Sequence, residues 1–139
     1  MIILDTNVVS ELLRPAPEQR VVAWLAGLDG AGVYLTTITE AELRLGVAIL
    51  PEGRRRDELA EMIDRIIRED FAGRILPFDS RAAEAFAAIA AARRAIGRPI
   101  LHADCQIAAI ARVHGASVAT RNMPDFTDCG IDLINPWKT

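Results

Sequence analysis

The chain has almost no lysine. Of its 16 basic residues only Lys138 is one, and the rest are arginines. Any recognition of phosphate or of a partner's carboxylate therefore falls to the planar guanidinium fork. Cysteine is scarce as well. Cys105 and Cys129 stand far apart, neither a CxxC redox pair nor a zinc-ligand spacing, so both read as small residues in a reducing compartment. No apolar run approaches the ~18 to 20 residues of a membrane span. The opening residues, MIILDTN, lack the basic stretch of a signal peptide. Glycine fingerprints of nucleotide loops, internal repeats, linkers and low-complexity segments are also missing. Together these absences point to a cytoplasmic protein with no membrane partner.

What is present is globular material. The 139 residues are 51% hydrophobic, with mean hydropathy +0.19. That suffices for one domain over residues 1–139, burying about two-thirds of its unfolded surface. Net charge is −3 and the isoelectric point about 5.4, a balance that disfavours nucleic-acid binding through phosphates alone. The arginines gather at Arg54–Arg56 and at Arg93-Arg94 with Arg98 nearby, and both groups read as solvated helix faces.

Short strand-like runs alternate with helical ones. Ile2–Leu4, Val33–Thr36, Arg74–Phe78, Ser117–Thr120 and Asp132–Ile134 read as strands. Val8–Leu13, Glu18–Leu28, a segment from Thr37 to near Pro51, Arg55–Phe71, Ser80 to about Ile96 and Ala103–His114 read as helices. Thr37 with Glu40, and Thr39 with Glu42, each fit a capping box. Leu59, Met62, Ile63, Ile66 and Ile67 form an apolar stripe, read as core packing or a partner groove. Asp79 or Ser80 caps the alanine-rich helix, and Gly115 stops the next one. The alternation predicts a mostly parallel sheet covered on both faces, an α/β/α sandwich.

In such sheets ligands gather at the carboxyl ends of the strands. Asp5 lies at the end of the first strand, and Glu40, Glu42, Asp79, Asp104 and Asp125 lie near comparable edges. Each has a plain structural explanation as a cap or a helix-dipole partner. Asp104 has the weakest one, being set in the otherwise apolar ILHADCQIAAIA. Several carboxylates meeting at one edge repel unless a cation lies between them. Oxygen donors without paired His or Cys favour Mg²⁺ or Mn²⁺, which suits phosphodiester hydrolysis. Rival readings of an aspartate-ended first strand lack their marks. Asp5-Thr6-Asn7 is not the Asp-x-Asp of haloacid-dehalogenase-like phosphatases, and no late-strand lysine supports a receiver domain. His102 and His114 have no evident triad partners.

MIILDTNVVSELLRP, LTTITEAELRLGVAILP and HADCQIAAIARVHGASVATRNMPDF…INPW resemble the PIN-domain ribonucleases. The resemblance is closest to the VapC-type, FitB-like toxins of toxin–antitoxin pairs, and it covers nearly the whole chain. It implies an acidic pocket holding Mg²⁺ or Mn²⁺ and endonucleolytic cleavage of RNA to 5′-phosphate and 3′-hydroxyl ends. The matching acids are Asp5, Glu42 and Asp104, all three as metal ligands. Glu42 rather than Glu40 fits the family's Thr-x-x-Glu spacing. At the fourth position, where many members have aspartate, this chain has Asn122, and Asp125 stands three residues on as a substitute acid. Beside these acids, Thr6 and Arg121 are expected to contact the substrate backbone. Implied partners are a second copy, as a homodimer or higher oligomer, and a small antitoxin with a DNA-binding end, through which operator DNA would mainly be bound. Asn122 keeps a second reading open, a catalytically weak PIN-fold module acting with its antitoxin on DNA.

Overall fold

The computed structural model describes residues 1–139. Five strands, β1 (Ile2–Leu4), β2 (Val33–Thr36), β3 (Ile75–Leu76), β4 (Ser117–Ala119) and β5 (Leu133–Ile134), form one parallel sheet in the order β3-β2-β1-β4-β5. Six α-helices, α1 (Thr6–Leu12), α2 (Gln19–Ala26), α3 (Thr37–Ala48), α4 (Arg54–Arg65), α5 (Ser80–Ala95) and α6 (His102–His114), connect the first four strands. The expected sandwich and parallel sheet are what the chain forms.

Strand pleating explains the two layers. Along β1, Ile3 faces the layer of α5 and α6, packing with Ile89, Ile107, Ile110 and Phe126. Leu4 faces the other way and packs with Val8, Val21, Leu35 and Ile63 from the α1–α4 side. Val118 and Ala119 divide in the same manner on β4. Residues buried on both faces of a parallel sheet read as continuous apolar runs, which is why these strands carry no polar alternation. No helix is long and apolar enough to cross a membrane.

β1 pairs with β2 on one side and with β4 on the other, in register Leu4↔Ala119. The chain leaves β1 for β2, then returns across it to β4, so the carboxyl ends of β1 and β4 flank the point where the strand order reverses. A crevice is forced there, because the connections depart in opposite directions. Asp5 and Thr120 are the residues that follow those two strands.

Three local expectations need correction. The cap of α3 is Thr36, whose Oγ1 accepts from Thr39 N at 3.2 Å, and neither capping box forms. Thr36 is wholly buried at the end of β2 and reaches the third helical N–H first, leaving both glutamates for other partners. The amphipathic helix from Arg54 is not uniform either. It passes into a π-helical turn at Ile66–Asp70, which buries Ile63 and Ile67 while Met62 stays 38% exposed. Finally, Arg93 is not on a solvated face. It is 4% exposed, and its guanidinium lies among backbone carbonyls. Elsewhere the signals hold: Asp79 caps α5 through Ala82 N at 3.0 Å, and Gly115 ends α6 in the left-handed region at φ 63°.

Candidate active site

Asp5 caps the helix that starts beside it. Its Oδ1 accepts from Thr6 N at 2.8 Å, and its Oδ2 accepts from Thr120 Oγ1 at 2.8 Å. The turn reading and the functional reading of this residue are therefore both satisfied by one side chain. Its backbone N–H donates to Ala119 O at 2.9 Å, which fixes the carboxylate at the edge of the sheet. Thr120 is fully buried and also accepts from Asn122 N (3.0 Å) and Asn7 Nδ2 (3.4 Å). Asn7 Oδ1 in turn accepts from Arg121 N at 3.4 Å. The Thr6-Asn7 turn and the Thr120-Arg121-Asn122 turn thus support each other across the crevice.

Glu42 reaches the same crevice from α3. Thr6 Oγ1 donates to Glu42 Oε1 at 2.7 Å, and Thr39 Oγ1, at 3.0 Å, donates to Thr6 in return, because Thr6 has one proton to give. Glu40 points elsewhere, accepting from Arg44 Nε at 2.9 Å, while Arg44 Nη1 also holds Asp64 of α4 at 2.9 Å. Asp104 enters from the first turn of α6.

These side chains line a cleft of about 490 Å³ walled by Asp5, Thr6, Asn7, Ser10, Glu11, Arg14, Glu42, Asp104, Arg121, Asn122 and Trp137. Asp125 is outside the lining. It is exposed on a 3₁₀ turn, Met123–Phe126, close enough to raise the pKa of Asp5 and Asp104 through its charge. A larger cleft of about 600 Å³ beside α5 has apolar walls and no carboxylate.

The electrostatics single out this cleft. Burial pushes the Asp5 carboxyl above its usual range, against the Thr120 and Thr6 hydrogen bonds, with Glu42 and Asp125 adding repulsion. Asp104 is pushed up to about 6, first by burial and then by the negative charges of Asp5, Asp125 and Glu42, with Arg93 pulling slightly the other way. Glu11 is held low by the Glu18 N–H and by Arg14. The two thiols are inert: burial raises Cys105 to about 11 and Cys129 upward.

The raised carboxyls carry a stability consequence. Asp104's folded pKa lies above its ordinary 3.8, so the contribution linked to its protonation is present below about pH 4 and is lost as pH rises through about 6. Asp104→Asn should therefore raise the melting temperature of the cation-free protein at pH 7.5 by roughly 2 to 5 °C. The difference should close near pH 4, as read by thermal melts across pH.

Sequence reasoning missed Thr120, Glu11 and Trp137 as members of this site. Thr120 carried a signal, a hydroxyl at the end of a strand flanking the reversal point. Trp137 stands in the INPW block of the family resemblance, but its place at the cleft depends on β5 returning beside β4.

A PIN domain family model matches residues 2–126. The chain is 49% identical to toxin FitB of Neisseria gonorrhoeae over 137 residues, covering 99% of each. It is 43% identical to VapC ribonuclease Y4jK of Sinorhizobium fredii over 138 residues, again covering 99% of each. A solved structure of FitAB bound to an IR36 DNA fragment superposes with a TM-score of 0.93 at 48% identity, covering 99% of this chain and 96% of that one. An aspartate-ended first strand at the reversal point, acids from α3 and α6 beside it, and similarity along the full length converge on one statement: this chain belongs to the PIN-domain family.

Proposed function

We propose that this chain is the toxin of a toxin–antitoxin pair and acts as an endoribonuclease dependent on Mg²⁺ or Mn²⁺. The observation that carries the proposal is the convergence of Asp5, Glu42 and Asp104 in one cleft, where burial first and the neighbouring acids second push Asp104 up to about 6. The similarity to a VapC ribonuclease supports the reaction class.

The donor set fits a hard divalent cation. It consists of carboxylate oxygens with the Asn122 amide at the rim, and no His or Cys lines the cleft. As placed, no three acidic, His or Cys side chains close around a single point. The repulsion of Asp104 by Asp5, Asp125 and Glu42 is what a bound dication would relieve. Asp5, Glu42 and Asp104 would hold it, and there it would lower the pKa of water and neutralise charge on the phosphoryl group.

The chain's own residues do the rest. Asp5 is held by two donors, and Glu42 by one, so neither has to reorganise when substrate arrives. Glu42 Oε2 makes no hydrogen bond to protein and is the atom placed to take a proton from an attacking water. The Thr6 proton is already spent on Glu42, so Thr6 serves RNA as an acceptor and as Glu42's anchor. Arg121 faces the sugar–phosphate backbone. Asn122 offers its carbonyl oxygen where family members often have a carboxylate, and Asp125 adds negative charge from its exposed turn.

The protein partners are a small antitoxin with a DNA-binding domain and a second copy of this chain in a homodimer or larger assembly. Operator DNA would be bound mainly through the antitoxin, as the DNA-bound FitAB structure supports, and the pair would work in the cytoplasm. Purified protein should cut single-stranded RNA in Mg²⁺ or Mn²⁺ and stop on addition of EDTA. Cutting that persists in EDTA overturns the proposal.

A further inference from the structure

The cleft carries two arginines on its wall, and they differ in one respect. Arg14 is ion-paired: its Nη1 lies 3.2 Å from both Glu11 oxygens, which offsets its charge. The Arg121 guanidinium makes no ion pair and no hydrogen bond, and only its backbone N–H is used. Instead it sits over the indole of Trp137, its central carbon 5.1 Å from the ring centroid.

That seat is built from both sides. Arg20 Nη1 donates to Trp137 O at 3.0 Å, and Trp137 N donates to Asn135 Oδ1 at 2.9 Å, which lock the backbone of the turn. The indole packs against the core layer that holds Leu4, Val9 and Val21. One face of the ring is thereby left for the guanidinium. Cation–π contact restricts an arginine without using any of its N–H donors. The result is a fixed cation at the mouth of an acidic cleft with its hydrogen-bonding capacity intact.

We infer that Trp137 is a positioning residue that holds Arg121 as a clamp for an RNA phosphate adjacent to the one at the acids, setting the register of the strand in the cleft. This deepens the ribonuclease reading and rests on it. An acidic floor repels a polyanion, so the strand needs one oriented positive contact near the mouth, and a planar guanidinium can take two phosphate oxygens at once. A lysine at 121 would keep the charge and lose both the stack and the fork.

The test is anisotropy of a fluorescein-labelled single-stranded RNA oligonucleotide in Ca²⁺, measured against salt for the full chain and four variants. Arg121→Ala should weaken binding about 5- to 20-fold and flatten the slope of log K against log salt by about 0.7, one phosphate's worth on a single strand. Arg121→Lys should keep the slope and lose about 3- to 5-fold in affinity. Trp137→Leu should behave like Arg121→Lys, and Trp137→Phe should stay within about 2-fold of wild type. Melting curves and Mn²⁺-induced melting shifts report whether the variants keep the fold and the acid site. Should Trp137→Leu unfold, Arg121→Ala against Arg121→Lys still decides the phosphate contact; a folded Trp137→Leu that binds RNA as tightly as wild type overturns the positioning role. An unchanged slope in Arg121→Ala, with wild type binding RNA, overturns the clamp and leaves the ribonuclease reading standing. Failure of wild type to bind RNA at all overturns both.

Discussion

Asp5→Asn should lower RNA cleavage by about 10³-fold, roughly 4 kcal/mol of transition-state stabilisation, without lowering the melting temperature. The substitution is nearly isosteric. The amide oxygen can still accept from Thr6 N, while the contact to Thr120 is lost, because Thr120 Oγ1 already accepts from Asn122 N and Asn7 Nδ2; removal of an unfavourable buried charge offsets that cost. What also disappears is the negative charge. In the folded, cation-free protein that charge is unfavourable, because burial and the nearby acids already push the carboxyl upward. Removing it relaxes the site and removes a cation ligand at the same stroke. The predicted signature is therefore a split: activity and Mn²⁺-induced stabilisation collapse, while the unliganded melting temperature holds or rises by a few degrees. A variant that lost stability in proportion to activity would mark Asp5 as a structural cap alone.

Arg93→Ala should be the most damaging single change outside the core, costing about 3 kcal/mol or more of stability. Arg93 Nε donates to Arg98 O at 2.6 Å, and Nη1 donates to Asp125 O at 3.1 Å and Thr127 O at 2.8 Å, with Cys129 Sγ at 3.8 Å. One buried side chain thus ties the end of α5 to the loop that follows Asn122. The loop also holds Asp128 at φ 60°, a left-handed conformation that an aspartate tolerates, with its carboxylate 3.3 Å from Arg98. Without Arg93 three main-chain carbonyls lose their donor, and the stem of the side chain leaves a void. Arg93→Lys should recover less than half of the loss, because one ammonium cannot reach acceptors arranged around a planar fork. Chemical denaturation reads both. The alanine variant should also bind Mn²⁺ more weakly, since the turn bearing Asn122 and Asp125 is no longer fixed.

How far these features were legible in the sequence follows from how local their causes are. The strand at Ile2–Leu4, the glycine stop at Gly115 and the Asp79 cap depend on neighbours within a few residues, and they could be read. The π-helical turn at Ile66–Asp70 could not, because the apolar stripe runs through it and periodicity alone cannot show a register change. The capping boxes failed on a contest between adjacent hydroxyls that Thr36 wins by its position at the end of β2. At the site, Asp5, Glu42 and Asp104 were found through strand edges and family spacing. Thr120, Arg93 and Trp137 were not, since their partners lie far along the chain or on the main chain, where no residue-type pattern marks them. Arg93 is the sharpest case: an arginine in an alanine-rich helix reads as solvated until its acceptors are seen.

The measurement that bears most directly on the account is mapping of the ends left on a single-stranded RNA by the purified, antitoxin-free protein in Mg²⁺. The family resemblance implies 5′-phosphate and 3′-hydroxyl ends, and the proposed hydrolysis predicts them, with no product in EDTA and none from Asp5→Asn. Products ending in 2′,3′-cyclic phosphate, or the same products from Asp5→Asn, would contradict it.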